Sequence, residues 1–331
     1  MDAVRARDGR VDEVMGMVKA PSVKGWVPFG DCRTWYRVTG TPGAGHPALV
    51  VAHGGPGSTH DYLLNLAELA DDGWPVVHYD QLGNGGSTRL ADRPTDFFTP
   101  ELYLDELDNL LRGLRIADNY VLLGHSWGGM LAARHAAAGP AGLAGLIIAD
   151  APASYLLWRQ EMEVLRAALP PEIDATMRRH EAAGTTDSNE YFRAARVFYD
   201  RHVCRVQPWP RDYVASLMEV SNDSTVYSVM NGPNEFHVVG TLKDWSVVNC
   251  LAEIAVPTLL MSGRHDEATP VTMQPFADRI PDVRWEIFEE SSHMPNLEEP
   301  ERFRAVLAEF LGRLDRQPVP AAPEHVEKMR R

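Results

Sequence analysis

Short apolar runs alternate along the chain with stretches in which apolar residues recur every three or four positions. Apolar runs of strand length, rich in Val, Leu and Ile, predict strands at 46–55, 74–81, 119–126, 143–150, 256–266 and 283–292. The intervening spacing predicts amphipathic helices, including those at 100–115, 127–138 and 299–314. Residues 25–40 alternate apolar and polar positions around a glycine turn, which predicts an antiparallel hairpin.

The predicted strands are too continuously apolar for a sheet with one wet face, so we expect them to be buried on both sides. Strands and helices alternate with short connections, which is typical of an α/β fold with a mostly parallel, doubly wound sheet. The alternation stops over residues 151–250, where the chain is helical and rich in aromatic residues. We expect an inserted helical cap domain there, over the carboxyl ends of the strands, where such sheets bind ligands. A surface excursion with its own small core is the alternative.

The two termini differ from the predicted core in composition. Residues 1–20 are charged and weakly patterned, and residues 317–331 are polar and rich in proline, so we expect an extension and a tail outside the core. The core domain then comprises residues 21–150 and 251–316. The N-terminal residues lack the apolar stretch of a secretory signal, and no apolar run approaches the roughly 18 residues of a membrane helix.

Charge and cysteine content argue against several kinds of partner. A formal net charge of −14 repels nucleic acid and anionic lipid, so we expect neither nucleic acid nor a membrane as a partner. The cysteines Cys32, Cys204 and Cys250 lie far apart and have neither a disulfide pattern nor metal-ligand spacing. They suit a reducing compartment, so we expect a cytoplasmic protein without a metal site. The sequence predicts no particular oligomeric state.

The motif Gly124-His125-Ser126-Trp127-Gly128 follows a predicted strand and precedes a predicted helix. In this context the pattern G-x-S-x-G indicates a nucleophile elbow. Its turn is so sharp that the flanking positions need glycine, and the serine hydroxyl is left exposed. The helix N-terminus also points backbone N–H groups at a developing anion. Ser126 is therefore the predicted nucleophile, with a tight structural turn as the alternative.

A serine hydroxyl needs a base, and position along the chain selects one of the 12 histidines. His293 lies between the last predicted strand and the last helix, at the same sheet edge as Ser126. His78 lies inside a strand and His135 on the helix after the elbow, where we expect a structural role. Asp266 follows the penultimate strand and is the predicted acid. The order serine, aspartate, histidine is that of α/β-hydrolases.

Two alternatives stay open for the acid. Asp150 ends the strand predicted at 143–150 and competes with Asp266 for the same role. Asp266 also precedes a helix-forming stretch, where an aspartate can act as a helix N-cap with no part in catalysis.

The segment His53-Gly-Gly-Pro-Gly57 follows the first long predicted strand. Its glycines let backbone N–H groups approach a substrate oxygen. We expect the N–H groups of Gly55 and Trp127 to form an oxyanion hole, in which one donor commonly contributes about 2.7–4 kcal/mol. A nucleophile, a base, an acid and a donor loop at the right strand ends together predict a serine hydrolase.

Over roughly residues 25–314 the sequence resembles the proline iminopeptidase family of α/β-hydrolases. The resemblance rests on the motifs HGGPG, YDQLGNGGS, GHSWGG, GRHDEATP and SSHMPNLEEPERF. The stretch MNGPNEFHVVGTLKDW at 230–245 further resembles the branch that contains tricorn-interacting aminopeptidases and amino acid amide hydrolases. The resemblance implies an α/β-hydrolase fold without a cofactor. It also implies removal of an N-terminal residue, through an acyl-enzyme, from a small peptide or an aminoacylated small molecule.

An enzyme of this kind has to recognise a free α-ammonium group, and the resemblance assigns that role to Glu235 and Glu267. Charge-assisted hydrogen bonds from an ammonium to two carboxylates would contribute about 1.5–3 kcal/mol each. Either glutamate is alternatively a solvated loop charge. The sequence departs from the commonest family pattern at Leu82, where arginine is usual, and at His265, where tyrosine is frequent. These departures argue against strict specificity for proline.

Two rival functions share part of this evidence. A general esterase, lipase-like enzyme or carbon–carbon bond hydrolase would use the same triad and leave Glu235 and Glu267 without a substrate role. A binding protein on an inactive hydrolase scaffold would keep only the fold. Epoxide hydrolases and haloalkane dehalogenases are disfavoured, since they have aspartate where this chain has Ser126.

Overall fold

An eight-stranded sheet runs through the part of the chain that the computed structural model describes, residues 18–43 and 45–315. The strands are β1 (Ser22–Phe29), β2 (Cys32–Thr39), β3 (Ala48–Ala52), β4 (Val76–Asp80), β5 (Tyr120–His125), β6 (Leu143–Ala149), β7 (Thr258–Gly263) and β8 (Val283–Phe288). Their order across the sheet is β1-β2-β4-β3-β5-β6-β7-β8. The residues expected to form an N-terminal extension and a C-terminal tail lie largely outside the described ranges.

Strand direction confirms the expected mostly parallel sheet. β1 pairs antiparallel with β2 and β2 antiparallel with β4, whereas all pairs from β4 through β3, β5, β6 and β7 to β8 are parallel. Every residue of β3, β4, β5 and β7 is buried, as their continuous apolar runs predict. The expectation of burial on both sides was wrong for β8. Most of its residues are only partly buried, because this edge strand has one neighbour in the sheet.

Ten α-helices surround the sheet in the described ranges. They are α1 (Pro100–Gly113), α2 (Trp127–Ala137), α3 (Tyr155–Ala167), α4 (Pro171–Ala183), α5 (Asn189–His202), α6 (Arg211–Asn222), α7 (Thr225–Met230), α8 (Pro270–Arg279), α9 (Pro295–Glu298) and α10 (Pro300–Leu314). Shorter 3-10 segments lie at His60–Asp72, Thr95–Phe97 and Val248–Glu253. None of the described helices is both long and apolar enough to cross a membrane.

Local sequence explains where these helices begin. Thr99 precedes α1 and its hydroxyl accepts a hydrogen bond from the N–H of Leu102, while Pro100 occupies the first helical position. The 3-10 segment His60–Asp72 was not among the predicted helices, although most of its residues are buried. It ends at Gly73, whose φ of 95° is one that glycine adopts readily.

Helices α3 to α7 all lie between β6 and β7, within residues 151–250, which we call the cap segment. The cap segment has a small aromatic core in which the rings of Phe198 and Phe236 lie 5.1 Å apart. Beside it the buried guanidinium of Arg166 forms ion pairs with Asp174 at 2.8 Å and Glu181 at 3.0 Å. These ion pairs join α3 to α4, and the hydroxyl of Tyr191 on α5 donates a 3.2 Å hydrogen bond to Oε1 of Glu181 on α4.

Candidate active site

Ser126 occupies a strained turn between β5 and α2. Its φ of 56° and ψ of −124° are unusual for a residue with a side chain. The two flanking glycines have no room for a side chain. A Cβ on Gly124 would lie 2.0 Å from the carbonyl oxygen of Gly128, and a Cβ on Gly128 would lie 2.2 Å from that of Ala52. Close approach of three backbone segments therefore explains the glycines of the motif, and Ser126 lines the cavity described below.

His293 and Asp266 lie in direct contact, as the strand order predicts. Asp266 follows β7 and His293 follows β8, and these adjacent parallel strands end at one edge of the sheet. Nδ1 of His293 lies 2.7 Å from Oδ1 of Asp266, and both residues are buried. The carboxylate can only accept this bond, so Nδ1 carries a proton, and in the neutral imidazole the lone pair lies on Nε2. Oδ1 of Asp266 also accepts a 2.8 Å hydrogen bond from the N–H of Ala268.

Of the two expected oxyanion donors, Trp127 directly follows Ser126 in the elbow, and Gly55 lines the same cavity as Ser126. Trp127 is the first residue of α2, so the helix provides no acceptor for its backbone N–H. Gly55 has a φ of 114°, and a Cβ there would lie 2.6 Å from the N of Gly57. The indole of Trp127 donates a 2.9 Å hydrogen bond to Oε1 of Gln81. Its side chain is thus fixed inside the core.

A buried hydrogen-bonded chain that the sequence did not predict joins the loop of Gly55 to the loop of His293. The N–H of Gly54 donates to the hydroxyl of Tyr62 at 2.8 Å, and that hydroxyl lies 2.8 Å from Nδ1 of His125. Nε2 of His125 lies 2.8 Å from the carbonyl oxygen of His293. Because a carbonyl only accepts, Nε2 carries the proton and Nδ1 accepts from Tyr62. Burial lowers the pKa of His125 well below its usual value, which keeps it neutral.

A cavity of about 1010 Å³ opens above Ser126 and His293. Core residues line one side of it, including Gly55 and Tyr62, and residues of the cap segment line the other. Glu235, from the cap segment, and Glu267, next to Asp266, both line the same cavity. Oε1 of Glu267 lies 3.7 Å from Nε2 of His293. The two glutamates expected from the family resemblance thus share one cavity with the predicted nucleophile and base.

Both cavity glutamates are in an environment that disfavours their charge. Burial raises the pKa of Glu235, while a 2.6 Å hydrogen bond from the hydroxyl of Tyr227 opposes that rise. Burial, followed by the charges of Glu235 and Asp266, raises the pKa of Glu267 well above its usual value. Oε2 of Glu267 is buried and has no hydrogen-bond partner among the described residues. A cation in the cavity would stabilise both carboxylates.

Helix α7 of the cap segment touches the backbone of two core loops. A Cβ on Gly57 would lie 2.9 Å from the N of Tyr227, and a Cβ on Gly83 would lie 2.3 Å from Cγ2 of Val226. Helix α6 is attached nearby, since the hydroxyls of Ser216 and Thr59 lie 3.1 Å apart. The wall of the cavity is therefore joined to the loop that bears Gly55.

The other residues that the sequence singled out have structural surroundings. His78 is buried and lies 2.9 Å from the carbonyl oxygen of Leu63, and the ring of His135 lies 2.6 Å from the hydroxyl of Tyr120. Leu82, at the departure from the family pattern, is buried, and its N–H donates to the carboxyl group of Glu106. No group of three or more potential metal-ligating side chains occurs within residues 18–43 and 45–315.

The parallel sheet, the strained elbow serine and the inserted helices define a class of protein. A family model described as the alpha/beta hydrolase fold matches residues 47–300. The chain is an α/β-hydrolase.

Closer relatives identify the family within this class. The proline iminopeptidase of Saccharolobus solfataricus is 38% identical over 279 residues, which cover 84% of this chain and 88% of that protein. The proline iminopeptidase of Heyndrickxia coagulans is 38% identical over 82% of this chain and 92% of its own length. The chain therefore belongs to the proline iminopeptidase family.

Two solved structures are similar to this chain in both sequence and fold. The crystal structure of VinJ is 63% identical in sequence and superimposes with a TM-score of 0.88, over 89% of this chain and 99% of VinJ. The crystal structure of the proline iminopeptidase of Mycobacterium smegmatis is 51% identical, with a TM-score of 0.83, over 88% of this chain and 99% of that one.

Proposed function

We propose that this protein is a serine aminopeptidase in which Ser126, His293 and Asp266 form the catalytic triad. The Oγ of Ser126 attacks the carbonyl carbon of the N-terminal residue while Nε2 of His293 takes the hydroxyl proton. The N–H groups of Gly55 and Trp127 stabilise the oxyanion. The imidazolium then gives its proton to the leaving amine, and an acyl-enzyme remains. Water, activated by the same imidazole, hydrolyses this ester and releases the amino acid.

The observation that carries the aminopeptidase assignment is the pair of carboxylates beside the predicted base. Glu235 and Glu267 line the cavity together with Ser126, and Oε1 of Glu267 lies 3.7 Å from Nε2 of His293. An α-ammonium bound between these carboxylates places the following carbonyl next to the nucleophile. Buried carboxylates with raised pKa values are costly unless a cation neutralises them, so the site favours substrates with a free amine.

The size of the cavity bears on the leaving group. A volume of about 1010 Å³ is at the upper end of the roughly 300–1,000 Å³ typical of small-molecule sites. Tyr199, Trp209 and Tyr213 of the cap segment contribute aromatic surface to its lining. This supports a small peptide or an aminoacylated small molecule with an apolar body as the substrate. It also agrees with relaxed rather than strict specificity for proline.

The assignment of the nucleophile is tested with Ser126→Ala and a matched serine variant, Ser228→Ala. Ser228 is exposed and lines the same cavity. We expect Ser126→Ala to abolish the burst of acyl-enzyme and labelling by a fluorophosphonate, with little change in the melting temperature. Ser228→Ala should keep both. Hydrolysis that survives in Ser126→Ala would contradict the mechanism.

Recognition of the amino group is tested with free and N-acetylated aminoacyl arylamides. Acetylation removes the charge that Glu235 and Glu267 are proposed to bind. We expect it to reduce kcat/KM by at least about tenfold, since tenfold corresponds to one contact of about 1.4 kcal/mol. Equal turnover of both substrates would indicate an esterase or amidase that does not recognise the amine.

A further inference from the structure

Asp150 is a second buried carboxyl group at the predicted catalytic acid. It follows β6, which lies between β5 and β7, and its side chain is in hydrogen-bond contact with that of Asp266. The backbone of Asp150 has a φ of 51°, a strained conformation that turns the chain at the sheet edge. The proposed triad leaves this residue without a role.

The hydrogen bonds of the two carboxyl groups leave one oxygen on each without a donor. Oδ1 of Asp150 accepts a 3.0 Å bond from the N–H of Gly263. Oδ1 of Asp266 accepts from His293 at 2.7 Å and from Ala268 at 2.8 Å. The Oδ2 atoms of both aspartates are buried and have no N–H or hydroxyl partner among the described residues. A proton between the two carboxyl groups would satisfy both oxygens.

Two carboxyl groups in contact and shielded from water cannot both be ionised, so the pair shares a proton. Asp266 accepts two N–H bonds and faces the imidazole, whereas Asp150 accepts only one N–H bond. The charge is therefore more stable on Asp266, and the proton belongs on Asp150.

We propose that Asp150 is a positioning residue: it stays protonated at neutral pH, and its Oδ2–H donates a hydrogen bond to Oδ2 of Asp266. This inference rests on the proposed function, in which Asp266 orients His293. The bond fixes the plane of the Asp266 carboxylate and spreads its charge. Oδ1 is thereby held in line with Nδ1 of His293.

The surroundings of the pair favour the neutral form of Asp150. Burial, followed by the charge of Asp266, raises the pKa of Asp150 well above its usual value. Nε2 of His125 lies 3.8 Å from Oδ2 of Asp150, but this histidine is neutral and its N–H is directed to the carbonyl of His293. The other titratable groups that act on the pair are Tyr62, His202, Glu267, His293 and Glu298.

Two variants show whether Asp150 acts as a neutral hydrogen-bond donor or as a negative charge. Asp150→Asn keeps an oxygen for the N–H of Gly263 and supplies an N–H donor to Asp266, and asparagine tolerates positive φ. Asp150→Gly removes the donor and also tolerates positive φ. We expect Asp150→Asn to keep kcat/KM within about threefold, with the acid limb of its pH profile unmoved, because a neutral group replaces a neutral group.

Asp150→Gly should reduce kcat/KM by about tenfold or more. It should also move the acid limb to higher pH, since an unsupported carboxylate holds the imidazole proton more firmly. An acid limb that moves to lower pH in Asp150→Asn would mean that a negative charge was lost, and the proposal would be wrong. A profile of Asp150→Gly identical to that of the wild type would also overturn it.

Infrared spectroscopy gives a measurement that does not depend on activity. Labelling the carboxyl carbon of every aspartate with a heavy isotope identifies the band of any protonated aspartic acid at neutral pH. We expect such a band in the wild type and its loss in Asp150→Asn. A wild type without the band overturns the proposal even if the variants fail to fold.

The same measurements distinguish this proposal from the proposed function. If Asp266→Asn kept full activity, the triad assignment would fail, whereas the infrared band would still report whether Asp150 is protonated. If Asp266→Asn lost activity and the band were absent, only the role of Asp150 would be refuted.

Discussion

Replacing Glu267 with glutamine removes one charge from the proposed ammonium site and keeps the size of the side chain. Glu267 is 1% exposed and lines the cavity, and its Oε2 has no hydrogen-bond partner among the described residues. The substitution converts a bond between two charges into a bond between an ammonium and a neutral amide. Its effect should therefore depend on whether the substrate carries an amino group.

The magnitude follows from the energy of such bonds. A hydrogen bond to a charged group contributes about 1.5–3 kcal/mol, and each 1.4 kcal/mol changes a rate constant tenfold. We expect Glu267→Gln to lower kcat/KM for aminoacyl arylamides by about ten- to a hundredfold.

The assay compares each aminoacyl arylamide with the analogue that lacks the amino group. For the analogue we expect Glu267→Gln to change kcat/KM by less than about threefold. Glu290→Gln is the matched control, because this exposed carboxylate lies on the loop after β8 and outside the cavity lining. An equal loss on both substrates would mean that Glu267 acts through His293, 3.7 Å away, rather than through the amine. No loss on either substrate would place the ammonium elsewhere.

Three further outcomes are expected. Because burial raises the pKa of Glu235 and Glu267, binding of a primary ammonium inhibitor should lower these pKa values and release protons, measured by calorimetry in buffers of different ionisation enthalpy. Burial raises the pKa of Glu106 to about 8 from an ordinary 4.5, so the folded state holds an extra proton between these values and loses stability as pH rises through them. In urea unfolding at several pH values, the free energy of unfolding of the wild type should fall by about 1.4 kcal/mol per pH unit over this interval because of Glu106, and Glu106→Gln should abolish that contribution. Gly128→Ala should destabilise strongly in the same assay, since its Cβ would lie 2.2 Å from a carbonyl oxygen. Gly312→Ala, whose Cβ would have no described residue outside α10 within 4 Å, should stabilise this helix by about 0.5–1 kcal/mol.

The sequence predicts the sheet well because its strands are buried. All six predicted apolar runs contain a strand, and the hairpin expected at 25–40 corresponds to β1 and β2. The predicted strand ends were less accurate where the apolar pattern continues beyond the sheet. The strand predicted at 46–55 ends at Ala52, because the glycine-rich loop that follows leaves the sheet. The sequence did not predict the segment His60–Asp72, because its burial arises from contacts with distant parts of the chain, such as α6 and α10.

For the candidate active site, the sequence pattern predicts which residues stand at the sheet edge but not which side chains contact one another. Strand ends and motifs indicate Ser126, Asp266 and His293, since their roles follow from the sheet edge at which each residue stands. The bonds of Tyr62 and His125 follow from no local pattern, because each joins segments far apart along the chain. The contact between Asp150 and Asp266 is equally non-local. The sequence presents these two aspartates as alternatives, whereas the structure brings them together.

The close contacts of α7 with Gly57 and Gly83 bear on any effort to redesign the enzyme. Libraries that vary Tyr227 to enlarge the cavity would also shift the loop of Gly55, so gains in substrate range should be accompanied by slower chemistry. Phe192 is 59% exposed and lines the same cavity, and no contact among the described residues ties it to these loops, so it is the safer position to diversify. Directed evolution toward bulkier leaving groups should therefore begin on α5.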